Sequence, residues 1–452
     1  MRSLVCGLLF FALTVSAVPA PAGPLATPAD TQAALDAFVA KAPGVVVIAG
    51  VIDRDGRHVY MAGTPLPGAP ALNERTEFEI GSISKTFTAT LLAQMAGAGE
   101  VKLSDPVAAY LPGVHVPTFN GKAITLETLA DQHSGLPAWP GSLAGANPAD
   151  PFAGVTDADA DALLAKYSLT REPGAAYEYS NYGFSLLGEA LAHRAKVPYQ
   201  GLLKARVLDP LDMDDTAVAL DPARSARLMP GFSEDLTPKT AWSNSFIAPA
   251  GLIRSDMHDM LQFLGANMAA PSGPLGSAMT LAHTVRADIS SAPPLGIGLA
   301  WMTNTASHIV FHNGQTGGYH SFIGFDPSSG TGVVVLTNVA SFSVDQLALH
   351  VLYPSVPAPS PIEHIVPHGS SPFIGVYHLT PAFAITIFEE AGTLYEQATG
   401  QIRLPLKLVS GTTFAVGGVD ATITFERDAS GKVTALVLHQ NGADQRAPRS
   451  PR

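Results

Sequence analysis

Cysteine is nearly absent from this sequence: among 452 residues only Cys6 carries a thiol. A chain so poor in sulfur cannot rest on a disulfide framework, on a thiol nucleophile or on a cysteine-built metal site, so packing must supply its stability. Charge is also scarce, at 14% of residues, and the formal net charge is −12 with no basic run. Phosphate recognition needs clustered lysine and arginine, so no nucleic-acid partner is expected. Long apolar runs are missing too, and no segment has the length of a transmembrane helix. Hydrophobic residues nevertheless make up 46% of the chain. That excludes a disordered, solvating polymer and is enough for two or three buried cores.

Residues 1–20 have the pattern of a secretory signal peptide: Arg2, an apolar stretch over 4–15, then small residues at 16–17 or 19–20. Cys6 falls inside that segment, so the exported, secreted or periplasmic chain would hold no thiol. Several hydrolase signatures are missing as well. No Gly-x-Ser-x-Gly elbow and no His-Glu-x-x-His pattern occurs, which argues against an α/β-hydrolase and a zinc protease. The 14 histidines are scattered without ligand spacing, and no metal or cofactor is expected.

What is present divides the chain into parts. A short helix is predicted over 32–39 and a β-hairpin over 45–61, with its turn at Asp55-Gly56. From Ser82 the apolar positions Ile83, Phe87, Leu91, Leu92 and Met95 recur at helical spacing. Helical stretches at 184–191 and 202–208 alternate with Pro/Gly-rich loops, and Ser255 is a good N-cap for a helix over 257–264. Strands return at 297–301, 308–311, 321–325 and 333–336. Strands at both ends with helices between them predict an α+β unit over 21–353, with one sheet built from the first and last segments. The proline-rich stretch beginning at Pro354 reads as a linker over 354–370. Seven short strand candidates between 374 and 438 then predict a small all-β barrel or sandwich over 371–452.

Three motifs carry chemistry. Ser82-Ile83-Ser84-Lys85 places a serine and a lysine on one helical face, where a neutral amine could take the hydroxyl proton. Lysine in a mostly apolar helix is costly to bury without a role, yet Ser-x-x-Lys also arises by chance. Tyr179-Ser180-Asn181 offers a phenol and an amide at a loop-to-helix junction; a packed aromatic and an N-cap are the alternatives. His312-Asn313-Gly314-Gln315 lies on or beside a strand edge in a glycine-rich stretch where a substrate backbone can approach closely. His312 could donate to a substrate anion or be a half-buried ring.

Taken together, in this order and spacing, these residues resemble the penicillin-recognising serine hydrolases, nearest the class C β-lactamases and D-alanyl-D-alanine carboxypeptidases. Leu103-Ser104-Asp105-Pro106, His133-Ser134-Gly135-Leu136-Pro137 and Gly317-Gly318-Tyr319 match further landmarks of that family. The C-terminal part is similar to the lipocalin-like domain appended to some members. The resemblance implies Ser82 as nucleophile, Lys85 and Tyr179 as proton carriers, and Asn181 as a partner of Lys85 and the substrate amide. It implies an oxyanion hole of the Ser82 and Gln315 backbone N–H groups, substrate contacts at His312, Asn313 and Gly314, and an acyl-enzyme that hydrolyses. The substrate would be a β-lactam, a peptidoglycan peptide or an acyl ester.

Two departures stand out. Many members have a lysine where this chain has His312, so binding of carboxylate-bearing substrates is expected to weaken above about pH 6.5. Trp139 offers an aromatic where class C β-lactamases usually place a glutamine, which suits an apolar or extended substrate. A carboxylesterase on the same fold, or a non-catalytic cell-wall or ligand-binding module, are the competing readings. The C-terminal domain holds no set of nucleophile, base and ligands, and is expected to shape substrate access or touch the cell wall.

Overall fold

A computed structural model of the protein describes residues 25–138, 150, 152–243, 246–269, 272–291, 293–363, 369–380, 383–390, 392–399, 403–417, 421–440 and 443–450. The signal segment 1–20 and Trp139 lie outside the described residues. Apart from two short stretches, one compact unit runs to Pro361 and a second begins at Ile362.

The first unit opens with helix α1 (Pro28–Val39), one turn earlier than expected because Pro28 suits a first helical position and the Thr27 side chain caps Asp30 N. The predicted hairpin follows as β1 (Val46–Asp53) and β2 (Gly56–Gly63). Its turn is tied by Asp53 Oδ1, which accepts from the N–H of Asp55 and of Gly56. The chain then passes through a 3₁₀ turn (Gly81–Ile83) into α2 (Ser84–Gly97), whose residues are almost all buried. Farther on come α3 (Asn181–Ala195), α4 (Met257–Ala269) and α5 (Pro274–His283). The cap of α4 is Asp256, whose Oδ1 accepts from Asp259 N at 2.8 Å. Ser255, the expected cap, sits one residue earlier and pairs its hydroxyl with Thr216 at 2.8 Å.

Six strands complete the sheet: β3 (Ala287–Ser291), β4 (Pro294–Ile297), β5 (Met302–Asn304), β6 (Val310–Gln315), β7 (His320–Asp326) and β8 (Thr331–Thr337). The order is β2-β1-β8-β7-β6-β5-β4-β3. Thus β1 pairs antiparallel with β8, in a register of Ala49 to Val335. That is the predicted union of the chain's first and last segments. The strand expected over 297–301 breaks after Ile297, where Ala300 adopts a φ of +63°.

Strands β1, β7 and β8 are buried on both faces, so the sheet must be covered twice. Helix α4 packs against β1 and β8 from one side, with α2 and α5 beyond it. Phe87 of α2 stacks on Phe263 of α4 with centroids 3.9 Å apart. The other side carries α6 (Ser343–Leu352), which buries Val344, Leu347, Ala348 and Val351. Those positions have helical spacing, although sequence reading placed no helix there. The proline-rich stretch begins by packing back on α6: Val356 accepts from His350 Nδ1 at 2.6 Å and Pro357 from Gln346 Nε2 at 2.9 Å.

The second unit is an eight-stranded antiparallel barrel of sequential hairpins. Its strands are β9 (Gly375–Thr380), β10 (Phe383–Glu390), β11 (Thr393–Ala398), β12 (Leu404–Ser410), β13 (Thr413–Val416), β14 (Ala421–Arg427), β15 (Val433–Gln440) and β16 (Ala443–Pro448). Tyr377 of β9 bridges to Arg449, and Ser450 N donates to Val376 O at 2.8 Å, so the last segment meets the first. The sheet is thus nearly closed on itself, which distinguishes a barrel from a sandwich. The final strand was not foreseen; its Ala-Asp-Gln-Arg-Ala-Pro sequence has little apolar alternation.

Candidate active site

Ser82 sits in the middle of the 3₁₀ turn ahead of α2, and Lys85 one turn later on the same face. Lys85 Nζ lies 2.9 Å from Ser82 Oγ, 2.7 Å from Asn181 Oδ1 and 2.6 Å from the Ala250 carbonyl oxygen. The side chain is fully buried and borders the Tyr179 ring, 4.6 Å from its centroid. Loss of hydration carries the ammonium pKa well below the ordinary lysine range. A neutral amine has two protons and one lone pair. Asn181 Oδ1 and Ala250 O can only accept, so they take the two protons and leave the lone pair facing Ser82 Oγ.

Tyr179 approaches from the opposite side, and its hydroxyl donates to Ser82 Oγ at 2.6 Å. Burial raises the phenol pKa above its usual range, so it stays protonated at neutral pH. Asn181 is the first residue of α3, and the N-cap role considered for it belongs to Ser180, whose side chain accepts from Gly183 N at 2.8 Å. Gln132 holds this loop from behind. It takes a left-handed φ of +66°, its Oε1 accepts from Ser180 N at 2.7 Å, and its carbonyl accepts from Glu178 N. Nothing local in the sequence marks Gln132; only its place before His133-Ser134-Gly135 could have drawn attention to it.

The third wall is β6. It pairs with β5 only through Val310 and Phe311, so residues 312–315 present an open edge. Thr316 N donates to Tyr319 O across the β6–β7 turn. Antiparallel hydrogen-bonded pairs alternate, which makes Gly314–Ser321 the next such pair and turns the N–H groups of Asn313 and Gln315 to the open edge. The Ser82 turn docks there. A Cβ placed on Gly81, whose φ is +50°, would lie 2.5 Å from Gln315 N; one on Gly314 would lie 2.8 Å from Ser82 N. Only glycine at both positions lets the two backbones approach. The amides of Ser82 and Gln315 therefore flank one spot beside Ser82 Oγ.

Strand alternation divides the remaining predicted residues. His312 and Gly314 share the face that meets the Ser82 turn. Asn313 and Gln315 point to the other face: Asn313 Nδ2 donates to Asp345 Oδ2 at 2.7 Å, and Gln315 Oε1 lies 2.8 Å from His320 Nδ1. Neither side chain reaches toward Ser82; what Gln315 presents on that side is its backbone N–H. His312 is 3% exposed, and its Nδ1–H donates to the Asn313 carbonyl at 2.6 Å. Burial pushes its pKa down to about 3. The expected loss of carboxylate binding above pH 6.5 is therefore withdrawn: the ring is already neutral through that range, with Nε2 as a lone pair.

Residues 31–352 match the family described as Beta-lactamase, and residues 363–448 match a domain of unknown function, DUF3471. The chain is 29% identical over 362 residues to the D-alanyl-D-alanine-carboxypeptidase/endopeptidase AmpH of Escherichia coli K12, covering 74% of this chain and 91% of that protein. Protein flp of Staphylococcus aureus N315 is 27% identical over 282 residues, covering 61% of this chain and 55% of that protein. A beta-lactamase/D-alanine carboxypeptidase from Yersinia pestis, solved with citrate, superposes with a TM-score of 0.59 at 24% identity, covering 68% of this chain and 92% of that one.

Proposed function

Because the chain belongs to the beta-lactamase family, we propose that it is a serine hydrolase that cleaves amide bonds of the β-lactam or D-Ala-D-Ala type through an acyl-enzyme. The carrying observation is Ser82 Oγ held between a phenol that donates and an amine whose other neighbours only accept.

Ser82 Oγ attacks the substrate carbonyl while Lys85 Nζ takes its proton, forming the O–C bond. The Ser82 and Gln315 N–H groups face the carbonyl oxygen as it gains negative charge. Collapse breaks the C–N bond, and the leaving nitrogen receives a proton through the Tyr179 hydroxyl, which is replenished from Lys85. Water then attacks the acyl-enzyme by the same route and frees Ser82. Asn181 orients Lys85 and offers its Nδ2 to the substrate amide.

A second reading, ester hydrolysis at the same serine, is favoured by one observation. His312 is neutral and its Nδ1–H is already committed to Asn313, so it supplies no cation for a substrate carboxylate. The signal-peptide reading of residues 1–20 and the similarity of the Yersinia and Escherichia relatives suit a periplasmic peptidoglycan substrate. The sequential, nearly closed barrel suits the lipocalin-like reading of the C-terminal domain.

One purified sample should be offered a chromogenic cephalosporin, a D-Ala-D-Ala peptide and a short-chain p-nitrophenyl ester. The proposal expects turnover of an amide substrate and labelling by a fluorescent penicillin in wild type but not in Ser82→Ala. Ester turnover alone would favour the second reading, and no labelling or turnover at all would leave a binding module.

A further inference from the structure

We propose that Asp345, on helix α6 behind the sheet, is a positioning residue for the oxyanion-binding strand, acting through His320, Asn313 and Gln315. The inference rests on the reading of Gln315 N–H as an oxyanion donor. Asp345 is 1% exposed and His320 is fully buried. Asp345 Oδ1 accepts from His320 Nε2 at 2.8 Å, and its Oδ2 accepts from Asn313 Nδ2 at 2.7 Å. His320 Nδ1 in turn meets the Gln315 amide at 2.8 Å. One carboxylate thereby ties down both residues of β6 whose N–H groups face the open edge.

That edge needs such a restraint. Beyond Phe311 the strand has lost its β5 partner, so β7, the docked Ser82 turn and this network together set the tilt of peptide 314–315. An oxyanion donor must point at a fixed place before the charge arrives, and a misplacement of about 1 Å costs about 10²-fold in rate. The network lies on the face away from Ser82, so none of its side chains touches the substrate.

The test uses the full chain with p-nitrophenyl acetate and phenylboronic acid. Boron accepts Ser82 Oγ as a fourth ligand, and a boron-bound oxygen then carries the negative charge into the oxyanion site. Asp345→Ala should lower kcat at least about 10-fold and weaken phenylboronic acid by a similar factor, with KM moving less than about twofold. Asp345→Asn retains an acceptor for His320, and a turned Asn313 amide restores the second bond, so it should recover most of both losses. Gln315→Ala trims a half-buried side chain and leaves the backbone donor in place; it should show the same split between kcat and KM. If both alanine variants keep kcat and boronate affinity within about twofold of wild type while their melting temperatures fall, the network is scaffold only and the proposal is overturned. A wild-type protein that neither hydrolyses the ester nor binds the boronate would overturn the Ser82 reading, and this proposal with it.

Discussion

Gly314→Ala adds a single methyl group, and its consequences can be worked out from the contact between β6 and the Ser82 turn. The new Cβ would fall well inside contact distance of the Ile80 carbonyl oxygen, 2.7 Å from Ser321 Oγ and 2.8 Å from Ser82 N. Two of these three atoms are backbone and cannot rotate away, and Ser321 Oγ is itself bound to Ile80 O at 2.8 Å. Relief requires strand and turn to separate by roughly 1 Å, since interiors have little slack. The separation moves Ser82 N–H and Gln315 N–H apart. A loss of about 10²–10³ in kcat follows for an oxyanion donor put out of place, with KM little changed. Overpacking of this kind costs about 1–3 kcal/mol of stability. Gly330→Ala is the matched control. Gly330 has a φ of +69° with nothing within reach of a Cβ, so the variant loses about 1–2 kcal/mol to backbone strain alone. Steady-state hydrolysis of p-nitrophenyl acetate and thermal melts of both variants provide the comparison. A Gly314→Ala enzyme within about threefold of wild-type kcat would refute the oxyanion geometry, as would an equal rate loss in Gly330→Ala.

Lys85→Met should slow Ser82 acylation by about 10²–10⁴-fold, and more than Tyr179→Phe does, because the amine carries the lone pair; the reverse order in single-turnover labelling would move the base role to Tyr179. The buried imidazoles of His312 and His283, pushed down by burial to about 3 and about 4, lie below the unfolded value of about 6.5. The unfolded chain then binds more protons between those values, so stability is complete above pH 6.5 and is lost as pH falls toward 4. Urea melts of His283→Gln should show a shallower decline from pH 6.5 to 4.5 than wild type; parallel declines would contradict the assignment. In the barrel, burial raises Glu396 to about 8, above the unfolded carboxyl value. Here the folded form holds the extra proton, so stability falls as pH rises from about 4.3 toward 8. Glu396→Gln should raise the barrel's melting temperature more at pH 8 than at pH 5, and an equal gain at both would count against a buried neutral acid.

Part of the candidate site was legible because its signals are local. Three residues of helical spacing bring Lys85 to Ser82 whatever surrounds them. The resemblance added Tyr179 and Asn181, which no short-range rule would have joined to Ser82; Tyr179 lies 97 residues from it. The all-β character of the C-terminal segment was similarly visible in its alternating short runs. Helix α6 and strand β16 were not, and the physical reasons differ: α6 follows immediately on strands with an equally apolar composition, and β16 is held by barrel closure rather than by its own pattern.

The sequence by itself determined that residues 312–315, if extended, must send alternate side chains to opposite faces. Which face meets Ser82 depends on where α2 and α6 pack, and only the tertiary structure decided that His312 and Gly314 face Ser82 while Asn313 and Gln315 face Asp345. The protonation states were decided there too. A lysine and a histidine carry the same names in any context, but the cost of charging them depends on the water that surrounding atoms remove. Burial favours the uncharged form of both Lys85 and His312, because desolvation is a property of the packed site and not of the motif.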